Sequence, residues 1–246
     1  MRIDASELHY SELNRQIRAA VAAGELSFDL VNVNGQRYIA DGISAKAEFD
    51  IHGVPGNDLG AFMDGPTLRV HANAQDGVSN TMNAGRVIIH GHAGDVLGYG
   101  MRGGDLFVRG RVGYRVGIHM KAYRENFPVL IAGGTAGDFL GEYMAGGLLV
   151  VLGLDRRANE PIVGHWCATG MHGGSMYLRG EVAPERVASQ FVSVHPAGDE
   201  DLKLLRPHLT RYAEAFELNA EELLGEPFFR VAPLSHRPFG AKYAAA

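Results

Sequence analysis

Four short apolar runs recur through the middle of the chain, each opened and closed by glycine: Arg86–His90, Asp105–Arg109, Leu148–Leu152 and Ser175–Arg179. Their alternation with a period of two marks half-buried strands. Val87 and Ile89, Leu106 and Val108, Leu149 and Val151, and Met176 and Leu178 are predicted to point inward. Gly85, Gly104, Gly147 and Gly174 open the runs, each three residues after a methionine (Met82, Met101, Met144, Met171), and Gly91, Gly110, Gly153 and Gly180 close them. Met63, Met82, Met101 and Met120 are nineteen positions apart, which sets the length of one unit.

A unit of that size cannot bury its own apolar face, so a fixed period implies stacking. At a strand spacing of about 4.8 Å equivalent side chains lie on one another and each inward register becomes an apolar ladder. The predicted fold is all-β: a right-handed, single-stranded parallel β-helix over residues 49–183, with an extension and cap at 1–48 and a helical extension and tail at 184–246. Polar stretches at 121–128 and 155–161 interrupt the period and are expected to bulge as loops on a binding face.

At the ends the period changes to that of a helix. Leu13, Ile17, Ala20 and Val21 share one face, with Gly24 as a stop. Leu202, Leu205, Leu209, Tyr212 and Phe216 form a second stripe, and Asn219 is placed to cap a further short helix ending at Gly225. Val150 and Leu152, facing outward if their neighbours face inward, need cover from the carboxy-terminal helix or from another chain. The last stretch, from Pro227, is expected to be extended. Solenoids need capped ends, although Arg230, His236, Arg237, Pro238 and Phe239 would also suit a partner's groove.

Glycine makes up 33 of 246 residues, nearly twice the usual share of about 7%. Twelve of these glycines form four GxxGxxxG segments: Gly53, Gly56, Gly60; Gly91, Gly94, Gly98; Gly110, Gly113, Gly117; and Gly134, Gly137, Gly141. One coil has Ala72, Gln75 and Ser79 in their place. Corners with positive φ and close backbone contacts account for such glycines. A dinucleotide fingerprint would need GxGxxG between a strand and a helix, and none is present.

The formal charge of −5 leaves no basic surplus for nucleic acid. No eighteen-residue apolar run exists to span a membrane. The single cysteine, Cys167, permits neither an internal disulfide nor a cysteine metal cage, and the start of the chain lacks a secretory pattern; a cytoplasmic protein is expected. Around Cys167 stand His165, Trp166 and His172, side chains that could bind metal or act as nucleophile and base, although a thiol within an apolar coil is more often inert packing. Asp76, Asp95 and Asp138 recur at one coil position; a cation ladder is conceivable, but bonding to each aspartate's own turn is the commoner arrangement. His119, Lys121, Tyr123 and Arg124 form a basic, aromatic break in the pattern and are the candidate partner contact.

The segments Gln75–Val78, Gly94–Gly104 and Gly137–Gly147 resemble the GxGxG-motif family over roughly Phe49 to Val182. That family includes the carboxy-terminal domain of the glutamate synthase large subunit and a subunit of formylmethanofuran dehydrogenase. Similarity is greatest to the freestanding form of the synthase domain. The resemblance implies a scaffold within an oxidoreductase complex for glutamate biosynthesis and nitrogen metabolism, holding a glutaminase-type amidotransferase and an FMN-dependent synthase. FMN and an iron–sulfur cluster would then sit on those partners, with no catalytic residue, cofactor or metal on this chain. A cluster's cysteine set and a glutaminase's amino-terminal cysteine are indeed missing here. The alternatives are the scaffold of a formylmethanofuran dehydrogenase or formyltransferase complex, and a self-contained, hydrolase-like enzyme using His165, Cys167 and His172. A homo-oligomer is compatible with each.

Overall fold

The computed structural model describes residues 1–236. Strand β1 (Arg2–Asp4) and helix α1 (Tyr10–Ala22) lead into parallel strands β2 (Ser27–Asn34), β3 (Glu48–Val54), β4 (Asp64–Val70), β5 (Ala84–Ile89), β6 (Asp105–Val108), β7 (Val129–Ala132), β8 (Ala145–Val151) and β9 (Gly173–Arg179). Each strand pairs in parallel with the next, one per coil, so the chain winds as a parallel β-helix. The nineteen-residue period is the register itself: Phe49 lies beside Leu68, Leu68 beside Val87, and Val87 beside Leu106.

Side chains that alternate inward form continuous ladders. Phe28, Phe49, Leu68, Val87, Leu106, Leu130, Leu149 and Met176 make one, and the first two rings stack at 4.6 Å. The methionines form another: Met63, Met82, Met101, Met120, Met144 and Met171 are all buried. Full burial of an apolar side chain contributes about 1.5–3 kcal/mol, so a coil's worth of them outweighs the weak ordering tendency of a lone strand.

The stack opens ahead of residue 49. β1 and β2 already belong to the parallel ladder, and Leu13 and Ile17 of α1 join the inner core. The first coil lacks the glycine spacing that makes later coils conspicuous. Strand β7 falls between the insertion at 121–128 and the segment Gly134–Gly141; its four residues are buried on both faces and so carry no alternation to read.

Beyond β9 the direction reverses. β11 (Phe228–Pro233) pairs antiparallel with β9, and β10 (Val192–Pro196) antiparallel with β11, which occupies the last parallel edge. Between them α2 (Asp199–Ala215) and α3 (Ala220–Leu224) form; the Asn219 side chain accepts the Glu221 N–H and caps α3 as expected. Leu205, Leu209, Tyr212 and Phe216 cover the outer face of the sheet against Ile88, Phe107, Ile131, Val150, Leu152 and Tyr177. Val150 and Leu152 are therefore covered within the chain. Arg211 of α2 donates to Asp105, which also accepts from Arg86 on the preceding strand. Arg230 lies in β11 and pairs with Asp201, whereas Arg237, Pro238 and Phe239 lie outside the described residues.

Candidate functional site

Opposite the regularity of the strands, each coil carries a segment of turns. Three residues spaced two apart adopt positive φ, as at Val96, Gly98 and Gly100, or Arg115, Gly117 and His119, or Phe139, Gly141 and Tyr143. Their N–H groups bond alternately to the next coil and the previous one: Val96 donates to the Tyr114 carbonyl at 2.8 Å and Gly98 to that of Val78 at 2.8 Å. The middle residue faces the core and is always small, through Ala40, Gly60, Ser79, Gly98, Gly117, Gly141 and Ala168. A Cβ on Gly117 would lie 2.4 Å from Leu149 Cδ1. The flanking residues face solvent and are free to be large, though each non-glycine there bears a strain of about 1–2 kcal/mol.

The other two glycines of the motif serve a different contact. Asp76 Oδ1 accepts the N–H of Asp95 at 2.8 Å, Asp95 Oδ1 that of Tyr114 at 2.8 Å, and Asp138 Oδ1 that of His165 at 2.7 Å. A Cβ on Gly113 would stand 2.0 Å from Asp95 Oδ1. These aspartates stitch one coil to the next, which corrects the expectation that each closes its own turn: stacking places a neighbouring N–H within reach. Asn73 and His92 act likewise, accepting the N–H of His92 at 2.8 Å and of Arg111 at 2.9 Å.

The solvent side of the turn segments is aromatic. Phe62, Tyr99, Tyr114, Tyr143 and Trp166 are all exposed, Trp166 at 55%. Phe139 and Trp166 stack at 5.0 Å with the Arg115 guanidinium 4.8 Å over the Phe139 ring, and His119 and Tyr143 stack at 5.3 Å. Beside the second stack lies a groove of about 450 Å³ lined by Thr81, Tyr99, Arg102, His119, Lys121, Tyr143 and His172.

Of the four residues singled out from sequence, the structure brings His119 and Lys121 together in this groove. Tyr123 and Arg124 stand apart on a tight turn closed by Tyr123–Asn126 backbone bonds at 3.1 and 3.0 Å, with the Arg124 guanidinium 5.2 Å over the Tyr123 ring. Tyr99, Arg102 and Tyr143 were not singled out. The signal was in the register, since Tyr143 follows His119 by one coil plus the five-residue insertion.

The grouping of His165, Cys167 and His172 as an active site is not what the fold builds. Cys167 takes the inward place held by Leu59, Val78, Leu97, Val116 and Leu140 in earlier coils and is wholly buried, its thiol 3.5 Å from the Met176 sulfur. Burial pushes the thiol up to about 12, far from the reactive thiolate range. His165 lies on the exposed side of the same coil, and His172 donates its Nδ1–H to the Gly170 carbonyl at 3.0 Å. Among the described residues no group of three or more His, Cys, Asp or Glu side chains could hold a metal ion. Nor is any described helix long and apolar enough to cross a membrane.

The ladder of turn glycines and stacked strands is the feature that places the chain among known proteins. The GXGXG motif family matches residues 11–233. The chain belongs to that family. A relative in Methanocaldococcus jannaschii, the uncharacterized protein MJ1350, is 45% identical, the alignment covering 98% of this chain and 95% of the relative. Protein GlxC of Rhizobium meliloti is 31% identical over 35% of this chain and 38% of its own length. The fold is also that of a chain in the X-ray crystal structure of the formyltransferase/hydrolase complex (FhcABCD) from Methylorubrum extorquens in complex with methylofuran. That likeness has a TM-score of 0.61 at 20% identity, covering 92% of this chain and 88% of that one.

Proposed function

We propose that this GXGXG-family chain is the β-helical scaffold subunit of a glutamate-synthase-type complex. Its turn face docks a glutaminase-type amidotransferase and an FMN-dependent synthase subunit, and those partners carry the FMN and the iron–sulfur cluster. The supporting observation is the stiff ladder of coils displaying Phe62, Tyr99, Tyr143 and Trp166 to solvent. Aromatic and arginine side chains anchor protein interfaces because they bury large areas at low entropic cost. A stack whose coils are bonded through Asp76, Asp95 and Asp138 can hold two partners at a fixed separation, which transfer of a reactive intermediate between them requires.

The test is capture of partners by the tagged chain from its native cytosol, with mass spectrometry and a visible spectrum of the eluate. Flavin absorbance together with amidotransferase and synthase polypeptides is the expected result. A colourless eluate holding this chain alone defeats the proposal. The fold likeness to a subunit of the formyltransferase/hydrolase complex favours a second reading, the scaffold of a formyl-transferring complex; formyltransferase or formylmethanofuran dehydrogenase polypeptides in the same eluate would select it.

A further inference from the structure

The groove beside the His119–Tyr143 stack gathers basic side chains and no acidic one. Arg102, Lys121, His119 and His172 line it together with the Tyr99 and Tyr143 rings and the Thr81 hydroxyl, and no carboxylate does. Several arginines elsewhere in this net-acidic chain meet acids: Arg86 and Arg211 meet Asp105, Arg111 meets Glu160, Arg115 meets Glu142, and Arg230 meets Asp201. Arg102 forms no ion pair among the described residues, and its buried Nε–H finds no acceptor there. Arg102 and Lys121 place two like charges on one concave surface, which repel each other. An oxyanion held between them offsets that repulsion.

We infer that this groove is a binding site for a small anionic ligand bearing a carboxylate or a phosphate group. Charge-assisted hydrogen bonds from Arg102 and Lys121 hold the oxyanion. The His119–Tyr143 stack and the Tyr99 ring, which meets His119 edge-on at 5.8 Å, form a wall against which the remainder of the ligand packs. The His172 bond to Gly170 holds that ring in place. At about 450 Å³ the groove falls within the ordinary range for small-molecule sites, roughly 300–1,000 Å³. The partners of the proposed scaffold are not needed for this binding, so the inference stands or falls on the isolated chain.

Isothermal titration of the full chain with inorganic phosphate, and separately with succinate, tests it. Saturable binding of one ion per chain by either probe is expected, and the probe that binds more tightly distinguishes a phosphate from a carboxylate ligand. Arg102→Met should weaken it about tenfold, Lys121→Met should weaken it by a smaller factor, and Lys46→Met, an exposed cation elsewhere, should leave it unchanged. Lys121 is exposed, so its variant still reads the site if Arg102→Met fails to fold. No saturable binding by either probe at tens of millimolar overturns the inference, as does binding that both Arg102→Met and Lys121→Met leave intact.

Discussion

Asp95 Oδ1 accepts the backbone N–H of Tyr114, one coil further on, at 2.8 Å. Gly113 leaves room for that bond, since a Cβ there would stand 2.0 Å from the same oxygen. Asp95→Ala removes this exposed bond between coils, whose N–H water can then serve, and should lower stability by about 0.5–1.5 kcal/mol. Gly113→Ala should cost at least as much in the wild-type background but less in the Asp95→Ala background, where the tightest of its contacts is gone while those with the Gly94 carbonyl, at 2.8 and 2.9 Å, remain. Urea unfolding of the two single variants and the double variant measures this coupling; strict additivity would show that the close contact does not constrain the coil.

Ser79 occupies the middle, core-facing position of its turn segment, where all four GxxGxxxG motifs place their third glycine: Gly60, Gly98, Gly117 and Gly141. It is fully buried at φ 59°, and its hydroxyl has no partner among the described residues. Ser79→Gly should therefore stabilise the protein by about 1 kcal/mol, from relief of left-handed strain and of an unpaired hydroxyl, despite the greater freedom of glycine when unfolded. A fall in thermal midpoint would mean that the Ser79 side chain contributes packing larger than both effects.

The buried thiol of Cys167 has a pH signature. Its pKa rises from 9.0 to about 12 in the folded chain because burial disfavours the thiolate. Below pH 9 both states hold the proton and this stabilising contribution is complete. Between pH 9 and about 12 the unfolded chain loses the proton while the folded one keeps it, so stability falls by about 1.4 kcal/mol per pH unit. The gap in unfolding free energy between wild type and Cys167→Ala should narrow across that window, as denaturant titrations at pH 8 to 10.5 would read. Native wild type should also resist thiol alkylation at pH 8; rapid labelling would refute the core placement.

Leu209 of α2 lies at full burial against the outer face of the sheet. Leu209→Ala should cost about 2–5 kcal/mol, and it should do so by loosening the cover over Phe107, Ile131 and Val150. Increased binding of a hydrophobic dye at denaturant concentrations below global unfolding is the expected readout. Dye binding that appears only with loss of the β-sheet signal would show that α2 and the β-helix unfold as one unit.

The fold was legible where a residue's role repeats. Met63, Met82, Met101 and Met120 announced the coil length, and Val87, Leu106 and Leu149 announced the inward face, because stacking forces equal chemistry at equal register. Strand β7 was not legible, since Val129–Ala132 is covered on one side by the inner core and on the other by α2 and so shows no alternation. The groove was less legible still: Arg102 and His172 belong to coils far apart in sequence, and no fixed spacing along the chain links the two. Cys167 misled in the opposite direction. Its histidine neighbours in sequence suggested chemistry, but alternation along the chain sends the thiol inward and His165 outward.

That outward set can be tested without disturbing the core. Trp166 is the protein's single tryptophan, 55% exposed and stacked on Phe139. Its removal exposes no buried group, so Trp166→Ala should change stability by no more than about 0.5 kcal/mol. If the turn face is where partner chains dock, the same substitution should reduce their recovery in the capture experiment by about tenfold, as truncation of an interface aromatic commonly does. In the wild type, reconstitution with the partners should shift the Trp166 emission to the blue as water leaves the ring. Unchanged recovery together with unchanged emission would move the docking surface away from this face and on to the exposed turn at Tyr123 and Arg124, whose replacement by alanine would be the next comparison.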